Sequence, residues 1–300
     1  MDALLALAIR SGRILRVSLP DGQVDTLLDG AGSSPDGVVV ESGVVYWTTM
    51  GAPVVDASKP GEVVRDWSAA NGGVHAVGLD GTGKRDVVPI GAITTGKQLA
   101  SDGAGTLYWS DREGCRVSRV RVDGSGLTGL VVNTCDQSLT QECVGIAVDP
   151  VRGHLYWTQK GPAKGGKGRI LRAGIDLPHG ETAENRSDVE VLWDGLPEPI
   201  DLHVDGDWLY WTDRGAPPDG NTLNRAPRPA AGELGLSPEI LTGGFHEAIG
   251  LTVDGTAGPA YVSDLSGHIW LVPLPGGPAG QEGPRVLVSV GEPVTGLTGL

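Results

Sequence analysis

The sequence predicts an all-β fold, a six-bladed β-propeller with four antiparallel strands in each blade. Three observations favour this fold. One Tyr-Trp motif recurs along the chain, a second motif precedes each of its copies, and Gly- and Asp-rich turns separate the two. Recurrence at intervals of roughly 40–50 residues is typical of propellers. The composition agrees, because 48 glycines and 21 prolines suit many short strands joined by tight turns.

The Tyr-Trp motif marks the second strand of each blade, strand B. All five tyrosines of the chain lie at the first position of this motif, a coincidence that chance does not produce. The four complete copies are YWTT at 46–49, YWSD at 108–111, YWTQ at 156–159 and YWTD at 210–213, and YVSD at 261–264 is a degraded fifth copy.

The segment before each Tyr-Trp motif is the innermost strand of its blade, strand A. Turns such as DGAG at 102–105 follow it, and this composition is typical of hairpins. Segments after strand B supply strands C and D, for example RVSRVRV at 116–122 and LVV at 130–132. Four antiparallel strands in each repeat make a propeller blade. The strand A segments span 36–41, 97–102, 144–149, 200–205 and 249–254.

The two ends of the chain together supply the sixth blade. Residues 4–9, 13–19 and 24–28 predict strands B, C and D without a strand A, and residues 294–300 predict a strand A with nothing after it. Pairing of these segments leaves no open inner edge in the ring. We therefore predict that residues 1–300 form a single propeller domain, closed where the C-terminal strand pairs with the N-terminal strands.

Charge and cysteine content limit the partners and the location. The formal net charge of −14 lacks the basic surface that nucleic acids and anionic membranes require, so we expect neither as a partner. No stretch is long enough to span a membrane, and MDALLALAIR lacks the basic start and long apolar core of a secretory signal. Cys115, Cys135 and Cys143 do not form a disulfide framework. We expect a cytoplasmic protein with reduced thiols, whose oligomeric state the sequence leaves open.

Candidate site residues lie at the starts of strand A and the ends of strand B, which antiparallel pairing places on one face. Acids and bases that converge at a channel mouth suit a polar small molecule, because mixed charges orient a ligand and shift pKa values. We predict catalytic roles for Lys97, Lys160 and Asp201. The predicted substrate contacts are Asp36, Met50, Gln98, Arg112, Gln159, Arg214 and His246, of which His246 could also be a general base.

Departure from the repeat separates functional from structural candidates. An aspartate at the end of strand B recurs at Asp111, Asp213 and Asp264, and we expect such a residue to bond turn amides. A residue that serves a ligand needs to occur only once, because there is one channel. The candidates that depart from the repeat in this way are Asp36, Lys97, Gln159, Lys160 and Asp201.

Two further segments have alternative interpretations. The insertion at 51–72 could fold over the channel as a lid bearing Trp67, or be a surface loop. The segment GPAKGGK at 161–167 has the spacing of a phosphate loop, but it lacks the following Ser or Thr and lies between two strands, which leaves at most weak anion binding. The cysteines have no metal-ligand pattern.

The Tyr-Trp repeats resemble the YWTD repeats of lipoprotein-receptor propellers over the whole chain. The chain is more similar to the stand-alone YWTD propellers of fungi and bacteria, a group that includes hetero-Diels–Alderases, which join a reactive quinone methide to an alkene in the synthesis of tropolone sesquiterpenoids. This resemblance implies a cofactor-free cyclase of specialised metabolism. The segments that carry it are 97–99, 108–115, 143–150, 156–162, 196–201, 210–215 and 220–222.

The leading hypothesis is an enzyme that binds a small organic substrate at the channel mouth and catalyses a cyclisation or related non-redox step. Holding reacting atoms close and polarising them by hydrogen bonds would accelerate such a step. Lys and Arg side chains would stabilise developing negative charge, while Asp36 and Asp201 would orient or deprotonate. The first alternative is a metal-dependent lactonase-type hydrolase. The second is a non-catalytic propeller that binds a protein or peptide through an exposed apolar patch.

The first testable prediction concerns metal. The candidate acids belong to opposed blades and have Lys and Arg neighbours, so we expect no cofactor and no essential ion. Elemental analysis of protein purified without added metal should find no stoichiometric divalent cation, and a chelator should leave activity intact. Activity that disappears with chelator and returns with calcium or zinc would favour the hydrolase.

Overall fold

Six four-stranded antiparallel sheets surround a central channel, which confirms the predicted propeller. The computed structural model describes residues 1–59, 64–255, 258–277 and 283–300, and this part of the chain contains no α-helix. In chain order the strands are β1 (Ala3–Ala8), β2 (Arg13–Ser18), β3 (Val24–Leu28), β4 (Pro35–Glu41), β5 (Val44–Thr49), β6 (Val54–Val55), β7 (Arg65–Asp66), β8 (Gly72–Gly78), β9 (Arg85–Ile93), β10 (Gly96–Ser101), β11 (Thr106–Asp111), β12 (Arg116–Arg121), β13 (Thr128–Val132), β14 (Cys143–Asp149), β15 (His154–Gln159), β16 (Gly168–Gly174), β17 (Glu190–Leu196), β18 (Pro199–Asp205), β19 (Trp208–Asp213), β20 (Thr222–Pro227), β21 (Glu239–Gly243), β22 (Ala248–Val253), β23 (Ala260–Asp264), β24 (His268–Val272), β25 (Arg285–Ser289) and β26 (Val294–Gly299).

Each blade runs from an inner strand at the channel to an outer strand at the rim. Blade 1 consists of β26, β1, β2 and β3. Blade 2 consists of β4, β5, β8 and β9, with the short hairpin β6–β7 inserted between its second and third strands. Blades 3 to 6 are β10–β13, β14–β17, β18–β21 and β22–β25. Consecutive inner strands contact each other around the ring, so every inner strand borders the channel.

The ring closes within blade 1, as the sequence predicts. Strand β26 pairs antiparallel with β1, with Leu4 opposite Gly299 and Ala6 opposite Leu297. The pairing continues to the last residue, because Leu300 donates its N–H to the carbonyl oxygen of Ala3 at 2.8 Å. The first and last strands of the chain therefore share one sheet.

Aromatic side chains of the Tyr-Trp motif fill the gaps between blades. Trp211 of blade 5 packs with Tyr156 and Trp193 of blade 4 and with Leu202 of its own inner strand. The ring centroids of Trp193 and Trp211 lie 5.4 Å apart. An aromatic side chain buries roughly 150–250 Å². The motif recurs in four blades because the boundaries beside them present similar gaps.

A buried hydroxyl at the third position of the motif joins neighbouring inner strands. The Oγ1 of Thr158 accepts the N–H of Gly145 in its own blade at 2.7 Å and donates to the carbonyl oxygen of Ile200 in the next blade at 2.9 Å. Blade 1 has Leu7 at this position, and Thr295 on β26 donates instead to the carbonyl oxygen of Pro35 at 2.8 Å. The hydroxyls that reach the next inner strand in the same way belong to Thr48, Ser110, Thr212 and Ser263.

Glycine recurs on the inner strands where the blades approach most closely. A Cβ on Gly145 would lie 2.0 Å from the carbonyl oxygen of Ile200, and a Cβ on Gly250 would lie 2.2 Å from that of Thr295. These distances are far inside van der Waals contact, so the position excludes a side chain in those blades. The equivalent residues of blades 1 and 2 are Gly296 and Gly37, whereas blades 3 and 5 carry Gln98 and Asp201.

The prediction of three reduced thiols is wrong for two of the cysteines. Cys115 and Cys135 form a disulfide, with Cα atoms 5.6 Å apart, and Cys143 is free and buried. Cys115 follows β11 and Cys135 follows β13, and the antiparallel order of the blade brings these two strand ends to the same face. Three cysteines cannot all pair, so the sequence did not predict this disulfide. Reduced thiols were one argument for a cytoplasmic location, and the disulfide removes that argument.

The described residues include no helix with the length and apolar character that a membrane crossing requires.

The closure generates the second prediction. Deleting residues 294–300 removes the inner strand of blade 1, including the buried Val294 and the hydroxyl of Thr295. We expect the melting temperature to fall by well over 5 °C, because 1 kcal/mol corresponds to about 2–4 °C in a protein of this size class. Thermal unfolding followed by circular dichroism measures this. A truncated protein that melts within about 3 °C of the full chain would show that β26 does not close the ring.

Candidate functional site

The channel is tight at one end and more open at the other. The loop face carries the connections that lead into the inner strands, and the turn face carries the hairpins that follow them. In β4, β10, β18 and β26 the first four residues are buried and the last ones are partly exposed. The side chains at the starts of the inner strands therefore close the channel toward the loop face.

Six side chains form a ring at this closed end, which we call the mouth ring. Three consecutive blades contribute polar groups and the other three contribute apolar ones, with Leu265 packed against the apolar half. All six are less than a tenth exposed. The mouth ring consists of Thr295, Asp36 and Lys97 from blades 1 to 3 and of Val144, Ile200 and Ile249 from blades 4 to 6.

Lys97 and Asp36 form a buried ion pair in the polar half. The Lys97 Nζ lies 2.8 Å from Asp36 Oδ1 and 3.2 Å from the sulfur of Met50. The amide of Gln98 donates to the other carboxylate oxygen of Asp36 at 3.2 Å. Burial lowers the pKa of Lys97, and the Asp36 carboxylate opposes that shift. Four predicted site residues therefore meet here.

A second charged cluster surrounds the fully buried Glu198. Arg214 donates to Glu198 Oε1 at 2.8 Å, and Lys160 Nζ lies 3.5 Å from the same oxygen. Glu142 and Glu247 lie within 4.0 Å of Lys160 and Arg214 respectively. Glu198 is absent from the predicted site residues, yet it holds two of the predicted cations together.

Arg112 is the fourth of the predicted cations at the loop face. It pairs with Glu113 at 2.5 Å, and its charge, like that of Arg214, lowers the pKa of Lys97. The Trp67 ring from the inserted loop lies 6.0 Å from the Arg112 guanidinium carbon, and the Trp67 carbonyl accepts from Thr95. The loop therefore reaches the loop face beside Arg112. Residues 60–63 of this insertion lie outside the described residues.

Asp201 lies one residue deeper than the mouth ring and borders a cavity of about 200 Å³ inside the channel. Its carboxylate oxygens accept the N–H of Leu202 and of Leu251, both at 2.9 Å. Burial raises the pKa of Asp201 to about 8, against these two hydrogen bonds. The cavity is lined by all six inner strands, including Gln98, Ser101, His203, Leu251, Thr252 and Thr298.

Two predicted substrate contacts do not join these clusters. Gln159 is buried, and its side-chain nitrogen lies 3.5 Å from Gln141 Oε1. His246 is exposed, and its backbone N–H donates to Asp264. The distances give neither residue a contact with the mouth ring.

The recurring aspartates bond backbone amides, as expected for structural residues. Asp213 accepts the N–H of Glu198 at 3.0 Å and that of Gly215 at 2.8 Å. The other two copies, Asp111 and Asp264, accept amides in the same way.

The segment 161–167 borders an open cleft of about 390 Å³, lined by Lys167, Arg169 and Asp194 among others. Both signs of charge are present there, so the weak anion binding expected of this segment stays a prediction. Among the described residues, no group of three or more His, Cys, Asp or Glu side chains is placed to hold a metal ion.

Comparison with known proteins finds relatives that are similar in sequence. No family model matches the chain. A Pyricularia oryzae protein named Low-density lipoprotein receptor-related protein 1 is 40% identical over 291 residues, which cover 89% of this chain and 87% of that protein. The 3-hydroxyacyl-CoA dehydrogenase-like protein LAM1 of Cochliobolus heterostrophus is 39% identical over 286 residues, and the match spans only 57% of its length.

Solved structures share the fold at low identity. A chain in the crystal structure of a nidogen–laminin complex matches with a TM-score of 0.69 and 19% identity, over 99% of this chain and 97% of that one. A putative 6-phosphogluconolactonase from Bacteroides fragilis matches with a TM-score of 0.55 and 12% identity, over 91% and 78% of the two chains.

The buried carboxyl of Asp201 generates the third prediction. Its pKa is raised from 3.8 to about 8 on folding, so the folded protein binds this proton more tightly than the unfolded chain. The resulting stability is present below about pH 4 and is lost as the pH rises through about 8, by at most about 1.4 kcal/mol per pH unit. Asp201→Asn should therefore show a smaller fall in melting temperature between pH 5 and 8 than the wild type.

The exposed Asp194, changed to Asn, is the matched control and should follow the wild-type curve. Parallel curves of melting temperature against pH for the wild type and Asp201→Asn would contradict the assignment of a raised pKa to Asp201.

Proposed function

Because the chain belongs to the family of YWTD-repeat propellers that includes the Pyricularia oryzae protein, we propose that it is a cofactor-free enzyme acting on a small organic substrate at the mouth ring. The reaction class is a cyclisation without net redox change, of the hetero-Diels–Alder type.

The divided mouth ring is the observation that carries this proposal. Thr295, Asp36 and Lys97 occupy the same position of the repeat as Val144, Ile200 and Ile249. A ligand with an oxygenated end and a hydrocarbon end would match this division, because each end would meet groups of its own polarity. In a hetero-Diels–Alder reaction, a heterodiene with a carbonyl oxygen would supply the oxygenated end. Its unsaturated partner would supply the hydrocarbon end.

Lys97 would polarise the oxygenated partner. Its ammonium group has three N–H donors, and the described contacts direct two of them, one toward Asp36 and one toward Met50. The remaining donor is available to a substrate oxygen. A hydrogen bond to an oxygen that gains negative charge in the transition state lowers the barrier, most strongly where water is excluded. Arg112, Lys160 and Arg214 would add positive potential from the same face.

The apolar half would hold the second partner against the first. A cycloaddition forms two σ bonds from existing π electrons, so it needs no proton donor, oxidant or reductant. Its chief requirement is approach of the two reacting ends in one orientation, which is worth several kcal/mol when a protein enforces it. Ile200, Ile249 and Leu265 pack together, lack hydrogen-bonding side chains, and would form the apolar wall next to that partner.

The fourth prediction tests this function. The purified protein is mixed with a tropolone-derived quinone methide generated in situ and an achiral sesquiterpene alkene, and adduct formation is followed by chiral chromatography. The uncatalysed reaction gives a racemic adduct, so the wild type should raise both rate and enantiomeric excess. The double variant Asp36→Asn with Lys97→Met removes both charges, leaves no unpaired ion, and should lower the rate about tenfold or more, which is about 1.4 kcal/mol.

Lys84→Met, on an exposed lysine of the turn face, is the matched control and should behave as the wild type. A wild type that gives only racemic adduct at the background rate would overturn the cyclase. A folded double variant with undiminished rate and selectivity would remove the mouth ring from the mechanism.

A further inference from the structure

We propose that the channel holds a second site, open to the turn face, in which Asp201 and His203 act as an acid–base pair on a small uncharged ketone. This proposal goes beyond the cyclase function, because it uses the cavity inside the channel instead of the mouth ring, other groups and another reaction.

Both side chains belong to β18 and line the same cavity of about 200 Å³. Strand β18 has a register shift between Pro199 and Leu202, so contacts show the direction of these two residues. His203 lies opposite Tyr210, which packs in the core between blades 5 and 6. The Asp201 carboxylate reaches the N–H of Leu251 on the neighbouring inner strand β22, which places this side of β18 toward blade 6.

Both residues depart from the repeat. Four of the other five blades have glycine where blade 5 has Asp201, and the fifth has Gln98. The five other blades have small or apolar residues where blade 5 has His203, namely Val39, Ala100, Ala147, Thr252 and Thr298. The ring therefore packs without an ionisable side chain at either position, and one blade carries both.

The protonation states suit proton transfer. His203 makes no hydrogen bond with any described residue, and burial lowers its pKa to about 4, so its imidazole is neutral with a free lone pair. Burial raises the pKa of Asp201 to about 8, with a raising effect from Asp36 and a lowering effect from Lys97. At neutral pH the carboxyl is the proton donor and the imidazole the acceptor. Environments that separate two pKa values in this way define an acid and a base.

The reaction is enolisation. A ring nitrogen of His203 removes a proton from the carbon next to the carbonyl, and that C–H electron pair becomes the C=C bond of the enol. The carbonyl π pair moves to oxygen, which takes the proton of Asp201. The products are the enol, an imidazolium and a carboxylate, and reversal with exchange of protons with solvent restores all groups. No oxidant, reductant or cofactor enters the balance.

The cavity sets the substrate class. Pockets that enclose drug-sized ligands measure about 300–1,000 Å³, so about 200 Å³ suits a molecule of roughly ten non-hydrogen atoms or fewer. Its lining contains no Lys or Arg among the described residues, and its walls include Leu202, Val204 and Leu297. A carboxylate or phosphate would meet no counter-charge there, which favours an uncharged ketone.

The fifth prediction tests this pair with cyclohexanone in D₂O, where deuterium incorporation at the α-carbon is followed by NMR. The wild type should incorporate deuterium faster than buffer containing free imidazole at the same concentration. His203→Thr installs the residue that blades 6 and 1 carry, and Asp201→Asn is isosteric, so both should fold. Each should lower the protein-dependent rate by tenfold or more, with a cooperative melt retained. His179→Thr, on an exposed histidine, is the matched control and should keep the wild-type rate.

The pH profile separates catalysis from a structural role. The wild-type rate should fall below about pH 4, where His203 is protonated, and above about pH 8, where Asp201 is ionised. His203→Thr should abolish the acidic limb of that profile in the residual rate. A wild-type rate no higher than that of free imidazole, or folded variants that exchange as fast as the wild type, would overturn the proposal.

Discussion

A hydrogen-bonded hydroxyl between consecutive inner strands is the contact on which the ring depends. Thr48, Thr158, Thr212 and Ser263 each accept a backbone N–H of their own blade and donate to a carbonyl oxygen of the next. These side chains are fully buried, so water cannot replace a missing partner. A buried polar group left without a partner costs about 1–3 kcal/mol. The Thr or Ser of the Tyr-Trp motif is therefore fixed by backbone groups of two blades at once.

The close approach that these bonds enforce also shapes the channel. Inner strands drawn together leave no room for a Cβ at Gly145 or Gly250, so most blades contribute only backbone there. Gln98 and Asp201 are the exceptions, and both line the channel cavity. The close approach of the strands requires glycine at this position in four blades. The strands beside Gln98 and Asp201 have to accommodate the extra atoms of these two side chains.

Buried charge at the loop face is not needed by the fold. Val144, Ile200 and Ile249 fill in three blades the position that Asp36 and Lys97 fill in two others. Desolvation makes a buried ion pair a weak source of stability, and apolar residues of similar volume often serve as well. Burying the charges of Asp36 and Lys97 therefore costs desolvation free energy, and the blades with apolar residues at this position do not bear that cost. This cost is the physical reason for placing the proposed chemistry at the mouth ring, where the Glu198 and Arg112 clusters add to the local field.

The sequence alone determined the propeller, the number of blades and the closure by residues 294–300, because each rests on a repeat or on local strand patterns that need no knowledge of distant contacts. It also brought Lys97, Asp36 and Arg214 to one face, since strand polarity decides which ends meet. Only the tertiary structure decided their partners. The disulfide of Cys115 with Cys135, the role of Glu198 in holding Lys160 and Arg214, and the separation of Gln159 and His246 from the mouth ring depend on side-chain distances between loops. The enclosure that raises the pKa of Asp201 and lowers that of His203 likewise arises only when six inner strands surround one cavity, and no single strand encodes it.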